Sequence, residues 1–162
     1  MVLPLASAMT SWAGAVTLLT IRDDRDDLGV TVSAFCPVSL DPPLLLVSLI
    51  ASSYPAEVLG GAEPPPFAVT LLSAEQRMLA GRFAASGRPS ARLLFDDVPH
   101  RRGPASGALI PDDGLAAFEC TREQRVSAGD HLIVIGAVTA IPYAEGPGAP
   151  LVRFRNRYLP HN

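Results

Sequence analysis

The sequence predicts a mainly β protein, a barrel with a few short flanking helices. Three observations carry this. Val30, Thr31, Val32 and Ser33 alternate β-branched with small polar side chains, the period-two pattern of a strand with one apolar face. Leu44 to Leu49 is a short apolar run with the length and composition of a buried strand. Pro42 and Pro43 stand between the two, fixing φ and removing ladder donors, and strands that meet at such a corner suit a barrel better than a helical layer. A wall of small side chains and free main-chain amides also lets a flat polar heterocycle lie close to the backbone.

A length of 162 residues bounds the chain to one domain over 1–162, with residues 1–9 as an N-terminal arm. A mean hydropathy of +0.26 at 18% charged residues implies buried strands or a large subunit interface. The net charge of −3, with no basic block, argues against nucleic acid as a partner. The two cysteines, Cys36 and Cys120, form no Cys-x-x-Cys pair and read as free thiols of a reducing compartment. The apolar N-terminal stretch lacks the basic start of a signal peptide and is interrupted by Thr10, Ser11 and Thr17, so a cytoplasmic location is expected.

In order along the chain, the residues before Thr10 read as a short helix or arm and Ala15 to Arg22 as the first strand. Asp23 to Asp27 reads as a solvated hairpin tip, because a calcium loop would need a spaced glycine and a distal glutamate. Ser52 and Ser53 ahead of Pro55 predict a helix start, with Val58 and Leu59 turned inward and Gly60-Gly61 as the stop. Phe67 to Leu72 reads as a strand. Ser73 and Gln76 then make a capping box for a helix through Met78, Leu79 and Phe83 to Gly87. Arg88 to Pro111 reads as irregular, with a short strand at Leu93 to Phe95 and with Arg101 and Arg102 solvated or available to a nucleotide phosphate. Leu115 to Val126 and His131 to Tyr143 are predicted as long strands joined at Ser127 to Asp130, with Gly129 at positive φ. Pro150 to Leu159 reads as a last strand that carries Arg153, Arg155 and Arg157 on one side.

The segment Gly29-Val-Thr-Val-Ser-Ala-Phe-Cys-Pro-Val-Ser-Leu-Asp-Pro-Pro-Leu resembles the signature of the flavin reductase-like, FMN-binding split-barrel family. Trp12-Ala-Gly-Ala-Val-Thr, Phe67-Ala-Val-Thr-Leu-Leu-Ser-Ala-Glu-Gln, Leu79-Ala-Gly-Arg-Phe, Leu115-Ala-Ala-Phe-Glu-Cys, Ala128-Gly-Asp-His and Pro150-Leu-Val agree in order and spacing. The resemblance implies an FMN-binding split β-barrel of Greek-key-like topology. It also implies an NAD(P)H-dependent flavin reductase, in which NADH or NADPH stacks on FMN or FAD and passes a hydride from nicotinamide C4 to flavin N5. Reduced flavin would then diffuse to a partner flavin-dependent monooxygenase. A homodimer with flavin at the subunit boundary is implied as well.

By the same resemblance, Thr31, Val32, Ser33 and Ala34 supply the slot and donors for the ring, and Leu49, Arg82, Phe83 and Tyr158 lie beside it. Ser52 and Ser53 meet the flavin phosphate, and His131 borders the flavin and nicotinamide pocket as the catalytic candidate. Read without the resemblance, Ser52 and Ser53 are helix caps, Leu79 and Phe83 are core, and His131 is a structural histidine at a strand start. No second histidine stands at ligand spacing, so no metal is expected. No dinucleotide-binding glycine motif or Walker loop is present in the sequence.

The chain departs from the family pattern at Ile50 and Ala51, where a polar or basic residue is usual, and at Pro55 and Ala56, which replace Thr-His. Thr70 stands where Asn is common. Fewer phosphate donors imply weak, exchangeable flavin binding, or a grip supplied from elsewhere by an arginine. Two other readings stay open: a flavin-tethered split-barrel protein with another redox role, and a non-catalytic descendant with weakened flavin binding.

Overall fold

The computed structural model describes residues 4–160. Helix α1 (Leu5–Met9) begins it, within the expected arm, whose positions 1–3 lie outside the described residues. Where the sequence reads one strand the chain makes two, β1 (Gly14–Ala15) and β2 (Thr17–Arg22). The break falls at Val16, whose N–H donates to the Leu151 carbonyl and whose own carbonyl accepts from Leu72, so the chain changes sheets there. β3 (Asp27–Val32) returns antiparallel to β2. β4 (Phe35–Leu40) is a strand that the pattern reading lacks; it pairs with β5 (Pro43–Ile50) across Asp41–Pro42, a cis peptide bond. Pro37 and a register shift before Ser39 spoil the alternation of β4, and a proline is tolerated there because the strand lies at a sheet edge.

Helix α2 (Tyr54–Gly60) starts from Ser53 as N-cap, with proline in its first turn. After β6 (Phe67–Leu71), a 3-10 turn over Ala74–Gln76 leads into α3 (Arg77–Ala84), and the Ser73 amide donates to Gln76 Oε1 at 3.1 Å. The strand expected at Leu93 to Phe95 is instead the helical turn α4 (Ala91–Leu94). Ser90 caps it by accepting from the Arg92 amide, and alanine, arginine and leucine all favour helix. Nor is the rest of that stretch irregular, since β7 (His100–Arg102) and β8 (Leu109–Pro111) form a hairpin. β9 (Ala116–Ala128) and β10 (His131–Tyr143) are 13 residues each, with Gly129 at φ 62° in the turn. The expected last strand is a hairpin, β11 (Val152–Phe154) and β12 (Arg157–Tyr158), so its arginines are divided between two strands.

Seven strands form one antiparallel sheet in the order β3-β2-β6-β9-β10-β5-β4. Its outer strands β3 and β4 do not pair with each other, which leaves the barrel split. β2 is buried on both faces because it divides two cores. Leu19 and Ile21 join Val47, Phe67, Val69, Leu132 and Val134 inside the barrel. Leu18 packs on the other side with Leu79, Phe83, Phe95 and Leu109 under α3 and α4. Gly136 in β10 permits the close approach inside, since a Cβ there would come within 2.8 Å of the Phe67 ring. Cys36 is exposed on β4, whereas Cys120 is buried in the barrel, where burial pushes its thiol up to about 12. Among the described residues no helix is long and apolar enough to cross a membrane.

The acidic turn is not wholly solvated. Asp27 is 1% exposed and accepts from Arg92 Nε at 2.6 Å and from Arg102 Nη1 and Nη2 at 2.5 and 2.8 Å. Arg102, expected in solvent, thus ties the β7–β8 hairpin to β3, while Arg101 pairs with Asp112. Burial alone would raise the Asp27 pKa, but the Arg102 and Arg92 hydrogen bonds and charges outweigh it and hold the carboxyl below its ordinary value. The stabilisation from this group is complete above the unfolded carboxylate pKa of about 4 and is lost as pH falls through the lower folded value. We expect Asp27→Asn to cost about 3 kcal/mol at neutral pH, with the difference from wild type shrinking below about pH 4. Paired urea melts across that range test it, and a difference independent of pH contradicts it.

Candidate active site

Three adjoining cavities run along β3. The central one, about 680 Å³, lies between Val30 and Thr31 of β3 with Ser33 just beyond it, Phe83 of α3 and Arg88 in the turn that follows, and Arg153 and Tyr158 of the β11–β12 hairpin. A smaller one of about 230 Å³ continues past Val32, Ala34, Ser48 and Leu49 to His131. A third, of about 640 Å³, opens between Ser52, Ser53 and Pro55 at the start of α2 and the Ser86–Ala91 turn. Ser53 lines all three, and Phe83, Ser86 and Arg88 line both larger ones. The two larger volumes fall in the range of small-molecule sites.

Most of the residues singled out in the sequence meet here. Thr31, Val32, Ser33, Ala34, Leu49, Ser53 and His131 line the smaller cavity, Ser52 lines the third, and Phe83 and Tyr158 line the central one. The Thr31 hydroxyl is already committed, donating to the Ala80 carbonyl of α3 at 2.6 Å, so Ser33 and the main chain are the donors left on that wall. Ser53 Oγ accepts weakly from the Ala56 amide at 3.4 Å, which is the helix-cap role. Phe83 is both core and lining. It is fully buried, and its ring lies on β3 at Gly29, where a Cβ would come within 2.4 Å of it.

Arg82 lies apart from the residues that it was expected to join. Its guanidinium is held by both carboxylate oxygens of Asp97 and by the Leu94 carbonyl, and it lines none of these cavities. One residue along a helix turns a side chain by roughly 100°, so Arg82 and Phe83 cannot share a face. Thr70 also lies away from the groove. On β6 it shares the face of Ala68, beneath Tyr143 and Gly114, while Val69 points into the barrel. Of the other departures, Ile50 is exposed at the groove rim and Pro55 lines the third cavity.

The residues that pattern reading missed are cationic. Arg77, Arg88, Arg153 and Arg157 all line the central cavity, and among the described residues no carboxylate does. Among the described residues none of the four is ion-paired. In a chain of net charge −3 that is a strong local excess of positive charge. Arg88 is strapped in place, with Nε and Nη2 donating to the Gly29 carbonyl at 3.2 and 2.9 Å and Nη1 to Ala85 at 3.1 Å. Burial lowers its pKa from the ordinary arginine value, and a guanidinium stays charged through such a shift. The available signal was Gly87-Arg88-Pro89 directly after a helix end, a basic side chain on a stiff turn.

His131 stands at the far end of the smaller cavity, with Nδ1 at 2.7 Å from Asp130 Oδ1. A carboxylate only accepts, so Nδ1 carries the proton and Nε2 is left for another partner. The His131 hydrogen bond and charge in turn hold the Asp130 carboxyl below its usual range. Among the described residues no group of three or more His, Cys, Asp and Glu is placed to hold a metal. The arrangement suits a flat heterocycle against small side chains with an anionic tail among guanidiniums.

Comparison with known proteins agrees. The model of the flavin reductase-like domain matches residues 9–161. The chain is 37% identical over 142 residues to the FMN reductase (NADH) SmoA of Agrobacterium fabrum, covering 86% of this chain and 76% of that one. It is 32% identical over 151 residues to the reductase component of 4-hydroxyphenylacetate 3-monooxygenase of Thermus thermophilus, covering 93% and 91%. The NADH:FAD oxidoreductase SgcE6 of Streptomyces globisporus C-1027, solved with NAD and FAD fragments, superposes with a TM-score of 0.85 at 28% identity, over 98% of this chain and 91% of that chain. Some other relatives are longer: the chain spans 42% and 41% of two of them and 51% of one solved chain. With the split barrel, the groove along β3 and a match over nearly its whole length, the chain belongs to the flavin reductase-like domain family.

Proposed function

We propose that this chain is an NADH-dependent flavin reductase that reduces FMN or FAD and supplies the reduced flavin to a partner monooxygenase. The observation that carries the reading is the groove itself, walled by small side chains and main chain of β3, with four arginines and, among the described residues, no carboxylate in its central cavity. These residues fit a flavin. Val32, Ala34 and Leu49 offer an apolar slot, and the β3 main chain and Ser33 offer donors to the ring edge. Arg88, with Ser52 and Ser53 beside it, would hold the phosphate tail in place of the donors lost at Pro55 and Ala56, in a cavity that Asp26 and Asp27 also line.

A bound flavin supplies the hydride acceptor, and the protein supplies position and electrostatics. Phe83 and Tyr158 limit the ring from the α3 and β12 sides, and Leu49 and Ile50 from β5. His131, oriented by Asp130, presents Nε2 for a proton or hydrogen bond at the cavity end. β3, α3 and the β11–β12 hairpin come from early, middle and late in the chain, which supports reading it as one domain. The NADH supply and the exposed Cys36 thiol fit a reducing cytoplasm.

A homodimer belongs to the same reading. Edge strand β4 exposes Val38 and Leu40, the latter at 95%, and an apolar sheet edge of this kind calls for a cover. Light scattering on the purified chain is expected to give twice the monomer mass, and Leu40→Arg to shift it toward monomer. A wild-type monomer at high protein concentration removes the dimer.

The deciding assay follows NADH absorbance with FMN, FAD and riboflavin added in turn. The rate should rise and saturate with free flavin; no acceleration by any of the three overturns the reading. In the same assay Arg88→Ala should weaken FMN about tenfold more than it weakens riboflavin, which lacks the phosphate, as expected for loss of a charge-assisted hydrogen bond. Equal weakening of both removes Arg88 from the phosphate grip.

A further inference from the structure

We propose that the cleft between Trp12 and Arg155 is a subsite for an adenosine diphosphate moiety, the half that NADH and FAD share. It rests on the flavin reductase reading and extends the groove by one compartment. The cleft, about 220 Å³, is lined by Met9, Thr10, Trp12, Arg153, Arg155 and Asn156 among others. It shares Ser33 and Arg153 with the central and smaller cavities, so a ligand in it has one end on the β3 wall.

Trp12 is the chain's single tryptophan and is 68% exposed, an unusual place for the largest aromatic side chain. Its indole lies against Gly14, where a Cβ would stand 3.1 Å from Nε1 and 3.3 Å from the Ser33 carbonyl. The glycine lets the indole rest against the backbone where β1 passes the end of β3. Facing it is the β11–β12 turn, where Arg155 and Asn156 adopt φ 49° and 60°. Two successive positive φ values make the tight hairpin turn that normally takes Asn-Gly. An arginine held there is an outlier of the kind that marks functional sites. The Arg155 amide donates to the Thr10 carbonyl at 3.1 Å, which ties the turn to the α1 end. Its guanidinium lies 5.0 Å over the Phe154 ring.

An exposed indole and two guanidiniums, with no carboxylate in the lining among the described residues, match a purine that stacks and a diphosphate that pairs with arginine. A flavin ring has its place along β3; the cleft holds what projects beyond it.

Trp12 is its own probe. Titration with ADP-ribose, which carries the shared half and neither redox ring, should quench its fluorescence saturably, and Arg155→Ala should weaken that binding. Two further measurements separate the sources. If NADH uses the cleft, Trp12→Ala and Arg155→Ala raise its KM, measured with FMN, about tenfold, the scale of one lost base stack, and Trp12→Phe restores it. If FAD uses the cleft, the same variants lower its affinity relative to FMN by a similar factor and leave the NADH KM in place. No saturable quench, or a quench with neither effect, overturns the subsite. FMN-dependent NADH oxidation that persists without any quench removes the subsite and leaves the reductase reading standing, whereas absence of flavin-stimulated oxidation removes that reading itself.

Discussion

The groove depends on how the free edge of β3 is satisfied. An edge strand leaves main-chain carbonyls without ladder partners, and such groups need donors or water. Here the Gly29 carbonyl is met from the turn after α3, where Arg88 gives it two N–H groups, and the Thr31 hydroxyl is itself the donor to that helix, at the Ala80 carbonyl. Between them Phe83 presses on Gly29, where any Cβ would overlap its ring. A guanidinium, a hydroxyl and an aromatic ring therefore hold α3 against β3 where another strand would otherwise pair. Had the barrel closed there, no cavity would open beside the small residues of β3.

The same seam explains the charge of the site. The protein is acidic overall, yet several of its carboxylates are spent on other arginines, and Asp26, which lines the third cavity, accepts from the Ser90 hydroxyl. Asp27 binds Arg92 and Arg102, Asp97 binds Arg82, and Asp112 binds Arg101. The central cavity keeps four unpaired guanidiniums among the described residues, in a partly buried setting where charge is less screened than in open water. The altered loop at Pro55 and Ala56 thus loses donors on one side of a cavity while Arg88 stands on the other. Positive charge here belongs to the whole lining rather than to one motif.

Side-chain character decided much of the fold in advance. The alternation at Val30 to Ser33, the apolar run at Leu44 to Leu49, the Ser73–Gln76 box and the long hairpin turned at Gly129 are local patterns with local causes, and each appears in the structure. β4 was hidden because Pro37 and the register shift break its alternation, and α4 because a four-residue turn shows no period. Asp27 read as solvent-facing because its neighbours are charged; only the packing of α4 and the β7–β8 hairpin over β3 brings two arginines to it.

The sequence by itself determined the family, the strands and the small-residue wall, because these follow from residue size, branching and hydroxyl placement along a short stretch. Tertiary structure alone decided which arginines face the groove. Arg82 and Arg88 lie six positions apart, yet one closes on Asp97 outside the cavities and the other lines them. Arg153, Arg155 and Arg157 look like one basic face until a turn at Arg155 and Asn156 folds them onto two strands and the cleft between. The direction in which a long charged side chain points is set by the carbonyls and carboxylates within reach, and those partners come from parts of the chain that are distant in sequence.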